Sequence, residues 1–169
     1  RDLATNGLDK PVLNVFRMLG KMSGDRVRVR SSSAAPVEEI RDRGVRDKRD
    51  VYALAARGAR DVSVLVWNYH DDDLPAPAAT IELTIEGLTS GGATLSHYRV
   101  DGAHSNSYAA WLKMGSPQPP TEAQYKELAR AGELAAVAPP KNVRIENGKL
   151  TEIFSLPAQG VSLLVISKQ

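Results

Sequence analysis

TIELTIEGLTSGGATLSHYRVDG, residues 80–102, is the stretch on which the fold class turns. Apolar and polar residues alternate over 80–88, with Ile81, Leu83 and Ile85 on one side and Glu82, Thr84 and Glu86 on the other. Successive side chains of a strand point to opposite faces. The pattern is therefore that of an antiparallel strand with one face buried and one in water. Ser90-Gly91-Gly92 then predicts a hairpin turn into a second strand over 93–102.

More strands lie on either side. VYALAAR (51–57) and VSVLVWNY (62–69) flank the turn GARD. The second is apolar at both parities, the mark of a central strand covered on both faces, which puts Trp67 in the core. NVRIEN (142–147), KLTEIFSL (149–156) and VSLLVIS (161–167) follow, and Asn147-Gly148 is a hairpin signal. DRVRVRSSS (25–33) fits a short edge strand guarded by arginines. Residues 31–48 are polar and predict a loop. About seven short strands parted by turns imply an antiparallel β-sandwich.

Two stretches have helical spacing instead. In LDKPVLNVFRMLGKMSG (8–24) Asp9 suits an N-cap, Pro11 a first turn and Gly24 a stop. Val12, Val15, Phe16, Leu19 and Met22 share one face, so this helix needs a surface to lie on. In HSNSYAAWLKMGSPQPPT (104–121) Ser105 or Asn106 caps a helix that runs to about Met114, and Gly115 ends it. Tyr108, Trp111 and Leu112 fall together on it. SPQPP predicts a stiff extended spacer. Thr121 and Gln124 form a capping box that opens a second helix to about Ala131. The sandwich thus carries a helical excursion between strands.

Composition narrows the function. The chain has 169 residues, 42% hydrophobic and 25% charged, with a formal charge of +2 and no cysteine. That is globular usage. The charge is too small to indicate nucleic acid as a partner. Without cysteine there is no disulfide, thiol nucleophile or Cys-based zinc site. No apolar run approaches the ~20 residues of a membrane span. No phosphate-binding or dinucleotide fingerprint is present, so no cofactor is expected.

The chemistry-bearing residues have ordinary explanations. YHDDD (69–73) offers His70 and three aspartates but lacks the alternating ligands and glycine of a calcium loop, so it reads as a solvated loop and no metal site is assigned. His97, mid-strand, is expected to be a hydrogen-bonded structural histidine, and His104 a loop contact. Asp101, His104 and Ser105 are the residue types of a catalytic triad, but no nucleophile-elbow pattern supports one. Aromatic faces stack on sugar rings, which would suit a carbohydrate-binding module with aromatics in a row on one sheet face. Aromatics make up only 5% of the chain. Tyr108 and Trp111 are left to pack within the chain or to meet another domain or subunit.

The blocks ATNGLDKPVLNVFRMLGKMSGDRV (4–27), VLVWNYHDDDLPAP (64–77), HSNSYAAWLKMGSPQPPTEAQYKELARAGEL (104–134) and LPAQGVSLLVIS (156–167) occur in an order that resembles the C-terminal region of family 39 glycoside hydrolases, the β-xylosidases, and more distantly α-L-iduronidase. Residues 28–48 match least. The resemblance implies a (β/α)8 barrel followed by a β-sandwich. Residues 1–24 would be the last barrel loop and helix, and 25–169 the sandwich. A chain opening on Arg1 rather than Met would then be a piece parted from its barrel. The parent would remove terminal β-1,4-xylose from xylo-oligosaccharides with retention, using two glutamates at the ends of barrel strands that precede this chain. No glutamate here sits in a matching motif, so no catalytic residue is assigned. Asn6, Asp9 and Lys10 would lie near the substrate, although a turn at Asn6-Gly7 and a cap at Asp9 explain them as well. The expected partners are the barrel itself and a second copy through residues 104–131, with Tyr108, Trp111 and Leu112 as the contact.

Overall fold

The computed structural model describes residues 3–168, so Arg1, Asp2 and Gln169, at the outer ends of the two expected domains, lie outside the described residues. In chain order the elements are β1 (Ala4–Thr5), β2 (Leu8–Asp9), α1 (Pro11–Gly20), β3 (Asp25–Val27), α2 (Val37–Arg43), β4 (Asp50–Arg57), β5 (Asp61–Tyr69), β6 (Ala79–Glu86), β7 (Gly91–Val100), α3 (Ser107–Lys113), α4 (Glu122–Ala131), β8 (Ala135–Ala136), β9 (Lys141–Ile145), β10 (Lys149–Leu156) and β11 (Gly160–Lys168). The mostly-β antiparallel sandwich with a helical excursion after β7 is as the sequence implied.

The two sheets are unequal. One runs β3-β4-β5-β11-β7-β8, with β9 also on β7; the other is only β10 beside β6. All pairings are antiparallel. Val62, Val64 and Val66 of β5 and Leu164 and Ile166 of β11 face the small sheet, meeting Ile81, Leu150 and Leu156. The opposite parity, Leu65 and Leu163, meets Met18 of α1. Three layers result, and β5 is covered on both faces as its unbroken apolar run requires.

Pairing differs from the sequence expectation in three places. Gly91-Gly92 do not turn a hairpin: they lie in β7 opposite Ile145 and Arg144, while β6 pairs with β10 in the other layer. Asn147 and Gly148 do adopt the left-handed turn conformation, at φ 51° and 73°. Only Glu146 and Lys149 bridge across them, though, and the chain then changes sheet. This is a corner, not a β9–β10 hairpin. The edge strand over 25–33 is paired only at Asp25–Val27, and the loop over 31–48 contains the short helix α2. Val37 and Ile40 of α2 are exposed, so it has no apolar stripe to read.

The helices also depart in detail. α1 stops at Gly20, before Gly24, and its N-cap is Lys10, not Asp9. Asn106 caps α3 by accepting from the Ala109 N–H, and Thr121 and Gln124 make the expected capping box. SPQPP is not extended: the Ser116 N–H returns to Trp111 O at 3.0 Å, and Trp111 Nε1 donates to Pro117 O at 3.1 Å. The segment reverses so that α4 packs against α3.

Candidate functional site

The helical side of the large sheet gathers most of the residues that the sequence singled out. α1 explains why. At about 100° per residue, Asn14 and Met18 point one way and Val12, Phe16 and Leu19 the other. Asn14 and Met18 are completely buried on the sheet, whereas Val12, Phe16 and Leu19 are 45%, 55% and 38% exposed. Val15 and Met22, on the flank, are partly buried. The face predicted to lie on a surface is therefore mostly the outward one, because the helix is apolar on two sides.

Asn14 is the polar exception on the inner side. Its Nδ2 donates to Ser105 O (3.0 Å) and Gly132 O (2.7 Å), and its Oδ1 accepts from Arg17 (3.0 Å). One side chain thus ties α1 to the β7–α3 loop and to the end of α4. A polar residue four before Met18 was the signal in the sequence.

The β1–β2 hairpin leads into α1. Asn6 and Gly7 turn it with φ of 51° and 77°, the left-handed pair that a two-residue hairpin needs. Asn6 is exposed at the tip, and its carbonyl accepts from the Tyr125 hydroxyl of α4 at 2.9 Å. Asp9 is engaged at both ends: its carboxylate pairs with Arg17 at 2.7 Å, and its carbonyl accepts from Ser107 of α3. Lys10 is half-buried at the head of α1. On α3 the Tyr108 and Trp111 rings stack 5.8 Å apart. Tyr108 and Leu112 are 58% and 49% exposed. Of the exposed aromatics, Phe16, Tyr108 and Tyr125 are on helices and Tyr69 is the last residue of β5, so they do not form the row on one sheet face that a carbohydrate-binding module would present.

The loop after β7 holds the triad residue types but not a triad. Asp101 Oδ1 accepts from the N–H groups of Ala103 (2.7 Å) and His104 (2.8 Å) and from His104 Nδ1 (2.9 Å). Ser105 Oγ instead donates to Arg99 O at 2.7 Å and accepts from the Ala135 N–H at 2.8 Å, buried and away from any base. It is a brace for the loop.

Beneath, between the sheets, His97 Nε2 and Ser162 Oγ lie 3.0 Å apart and Arg99 Nε donates to the same hydroxyl at 3.1 Å. The Phe154 ring meets His97 edge-on at 4.9 Å. His97 is the structural histidine the sequence suggested. Burial, and then the charges of Arg99, Lys141 and His104, push its pKa down to about 4 from 6.5. The unfolded chain therefore takes up a proton below pH 6.5 that the folded one refuses until about pH 4. Stability present above pH 6.5 drains away across that window. The full linkage is about 3 kcal/mol, and partial solvent access to the ring reduces it to about 1–2 kcal/mol. Melting is expected to fall by roughly 3 °C between about pH 7 and 5, and His97→Gln to abolish most of that slope. An equal slope in the variant would refute the assignment.

In YHDDD the structure corrects one residue. His70 is buried, not solvated: Nε2 donates to Arg46 O (2.8 Å) and Nδ1 accepts from the Asp72 N–H (3.0 Å). Asp71 accepts from the Val45 N–H. Among the described residues no three carboxylate or imidazole groups are placed to share an ion. Trp67 is half-buried, not fully buried, with its Nε1 donating to Asp50 at 2.7 Å.

The sequence profile of glycosyl hydrolases family 39 matches residues 2–149. A β-xylosidase of Caldicellulosiruptor saccharolyticus is 24% identical over 132 residues, 78% of this chain and 24% of that protein. Three crystal structures share the fold. The family 39 enzyme from Xanthomonas axonopodis pv. citri has a TM-score of 0.76 at 17% identity, over 96% of this chain and 31% of that one. A monomeric β-xylosidase from Caulobacter crescentus CB15 has 0.71 at 19%, over 95% and 31%. A bacterial orthologue of human α-L-iduronidase has 0.73 at 23%, over 96% and 28%. This chain spans about a quarter to a third of the length of these relatives.

Proposed function

The chain belongs to the glycosyl hydrolases of family 39, and from that membership we propose that it is the non-catalytic β-sandwich of a retaining β-xylosidase, with residues 1–24 forming the last loop and helix of that enzyme's (β/α)8 barrel. The names of the relatives support xylo-oligosaccharides as the parent's substrate. The observation that carries the reading is the outward stripe of α1. A barrel helix must have an apolar face on the barrel strands, and Val12, Phe16 and Leu19 form such a face while Met18 holds the helix to the sandwich. Both catalytic carboxylates then belong to barrel strands outside these residues. Glu86, Glu122, Glu146 and Glu152 are held in ion pairs with Lys149, Lys126, Arg144 and Lys141, which fits a supporting part. In this arrangement the stretch from the hairpin tip at Asn6, through the Arg17-bound Asp9, to Lys10 at the head of α1 is the part nearest the substrate. Tyr108, Trp111 and Leu112 are the second contact surface, toward the barrel or another copy.

Two measurements test this. The longer enzyme is expected to hydrolyse p-nitrophenyl β-xyloside with retention, and the 169 residues by themselves to give no turnover. In the longer enzyme Phe16→Asp replaces about 2 kcal/mol of apolar burial with a buried charge, so its melting temperature falls sharply. Turnover by these residues alone, or a Phe16→Asp enzyme as stable as its parent, would sink the reading.

A further inference from the structure

Two Asn-Gly pairs stand in left-handed turns, and their surroundings differ. Asn6 and Gly7 join β1 to β2, whose pairing is limited to Ala4 with Asp9 and Thr5 with Leu8. Thr5, Asn6 and Gly7 are exposed. A hairpin so short is marginal by itself, and its neighbours hold it: the Tyr125 hydroxyl donates to Asn6 O at 2.9 Å, and Ser107 to Asp9 O. The Gly7 N–H donates to nothing among the described residues. Asn147 and Gly148 turn between β9 and β10, where Ile145 and Leu150 are buried on either side. There the Gly148 N–H donates to Ser90 Oγ at 3.1 Å, and Gly148 O accepts from the Leu88 N–H at 3.0 Å.

An asparagine side chain is an electrophile for the amide nitrogen that follows it. That nitrogen, on losing its proton, attacks Cγ; ammonia leaves and a succinimide ring closes. Water then opens the ring at one carbonyl to aspartate or at the other to isoaspartate, so the net change is one water gained and one ammonia lost. A side chain on the following residue obstructs the attack, and glycine has none. The other four asparagines precede Val15, Tyr69, Ser107 and Val143. Of these, Asn14 and Asn68 are buried, and Asn106 has its amide held at both atoms, by the Ala109 N–H and by Asp101 O. Ring closure also requires the left-handed turn to open, so the rate follows the cost of local opening. That cost is small at a hairpin with exposed flanks and larger at a corner that draws Ile145 and Leu150 out of the core.

We propose that Asn6-Gly7 is a site of spontaneous covalent modification, converting to isoaspartate in the folded protein while Asn147-Gly148 is protected. The product loses the present contact with α4. In isoaspartate the main chain runs through the former side chain and is one carbon longer, and the carbonyl that accepts from Tyr125 becomes a free carboxylate. The Tyr125 hydroxyl lies so close to the turn that a Cβ at Gly7 would be 2.8 Å from it. The lengthened turn therefore parts from Tyr125. Water is the only co-reactant, so the chemistry is independent of the parent's activity.

The test ages the folded chain in mildly alkaline buffer and follows both Asn-Gly peptides by mass spectrometry. Isoaspartyl O-methyltransferase with labelled S-adenosylmethionine is the probe for isoaspartate. Asn6 is expected to convert about tenfold faster than Asn147, and the two rates to converge in concentrated urea, where neither turn persists. Tyr125→Phe removes the bond to Asn6 O and should speed conversion at Asn6 severalfold while leaving Asn147 unchanged. Ser90→Ala frees the Gly148 N–H and should speed Asn147 while leaving Asn6 unchanged. Equal rates in the folded chain, a difference that survives urea, aspartate without isoaspartate at Asn6, or a Tyr125→Phe chain that ages like the unsubstituted one would each overturn the proposal.

Discussion

Replacing Asn14 with alanine is expected to cost about 3–4 kcal/mol, a large part of the 5–15 kcal/mol that holds a domain together. The side chain is completely buried. It supplies the donors for Ser105 O and Gly132 O and an acceptor for Arg17. Alanine removes all three at once and lets no water in, so two buried carbonyls lose their partners at roughly 1–3 kcal/mol each. The melting temperature should drop by about 10 °C. Val12→Ala on the outer side of the same helix is the control, expected within about 0.5 kcal/mol in this chain. If the two variants melted alike, Asn14 would not be the tie between α1, the β7–α3 loop and α4.

Asp101→Ala is expected to be at least as costly, at about 4 kcal/mol. Burial alone would raise the pKa of this carboxyl, but the Ala103 N–H, the His104 side chain and the His104 N–H together outweigh it and leave it below the ordinary value. The group is therefore a carboxylate at neutral pH, and its Oδ2 stands 4.0 Å from Arg99 Nε. Arg99 is 8% exposed. Removing the carboxylate leaves that guanidinium buried without its countercharge and strips three donors of their acceptor, and breaking a buried pair in this way costs about 3–5 kcal/mol. Asp101→Asn keeps an acceptor in place and should lose about half as much. Urea unfolding at constant m-value separates the two. Equal losses would mean that shape, not charge, is what the site requires.

The particular residues show which parts of the fold were legible. Period-two alternation placed β6, and an unbroken apolar run identified β5 as doubly covered, because both signals are local. Pairing was not local. β6 finds β10 some seventy residues on, and neither Gly91-Gly92 nor Asn147-Gly148 announces that the chain changes layer there. A left-handed turn has the same sequence whether the flanking strands stay together or part. α2 escaped notice because its only apolar residues face water. The inner face of α1 was missed because an apolar stripe on each side of a helix blurs the period, and Asn14 looked like an interruption when it was the anchor. In the candidate site, the stacking of Tyr108 on Trp111 follows from their spacing, but the Asp101 hub does not, since it depends on a loop that doubles back on itself.

The place of β11 has a consequence for biosynthesis. It is the last of these strands in the chain, yet it lies between β5 and β7 and joins the two halves of the large sheet. During translation, β3-β4-β5 and the β7 group wait with bare inner edges until residues 160–168 leave the ribosome. Closure of the large sheet therefore waits for the nine residues of β11, which act as its keystone. A nascent chain stalled before Gly160 exposes two unpaired edges and a naked apolar core, a natural client for chaperones.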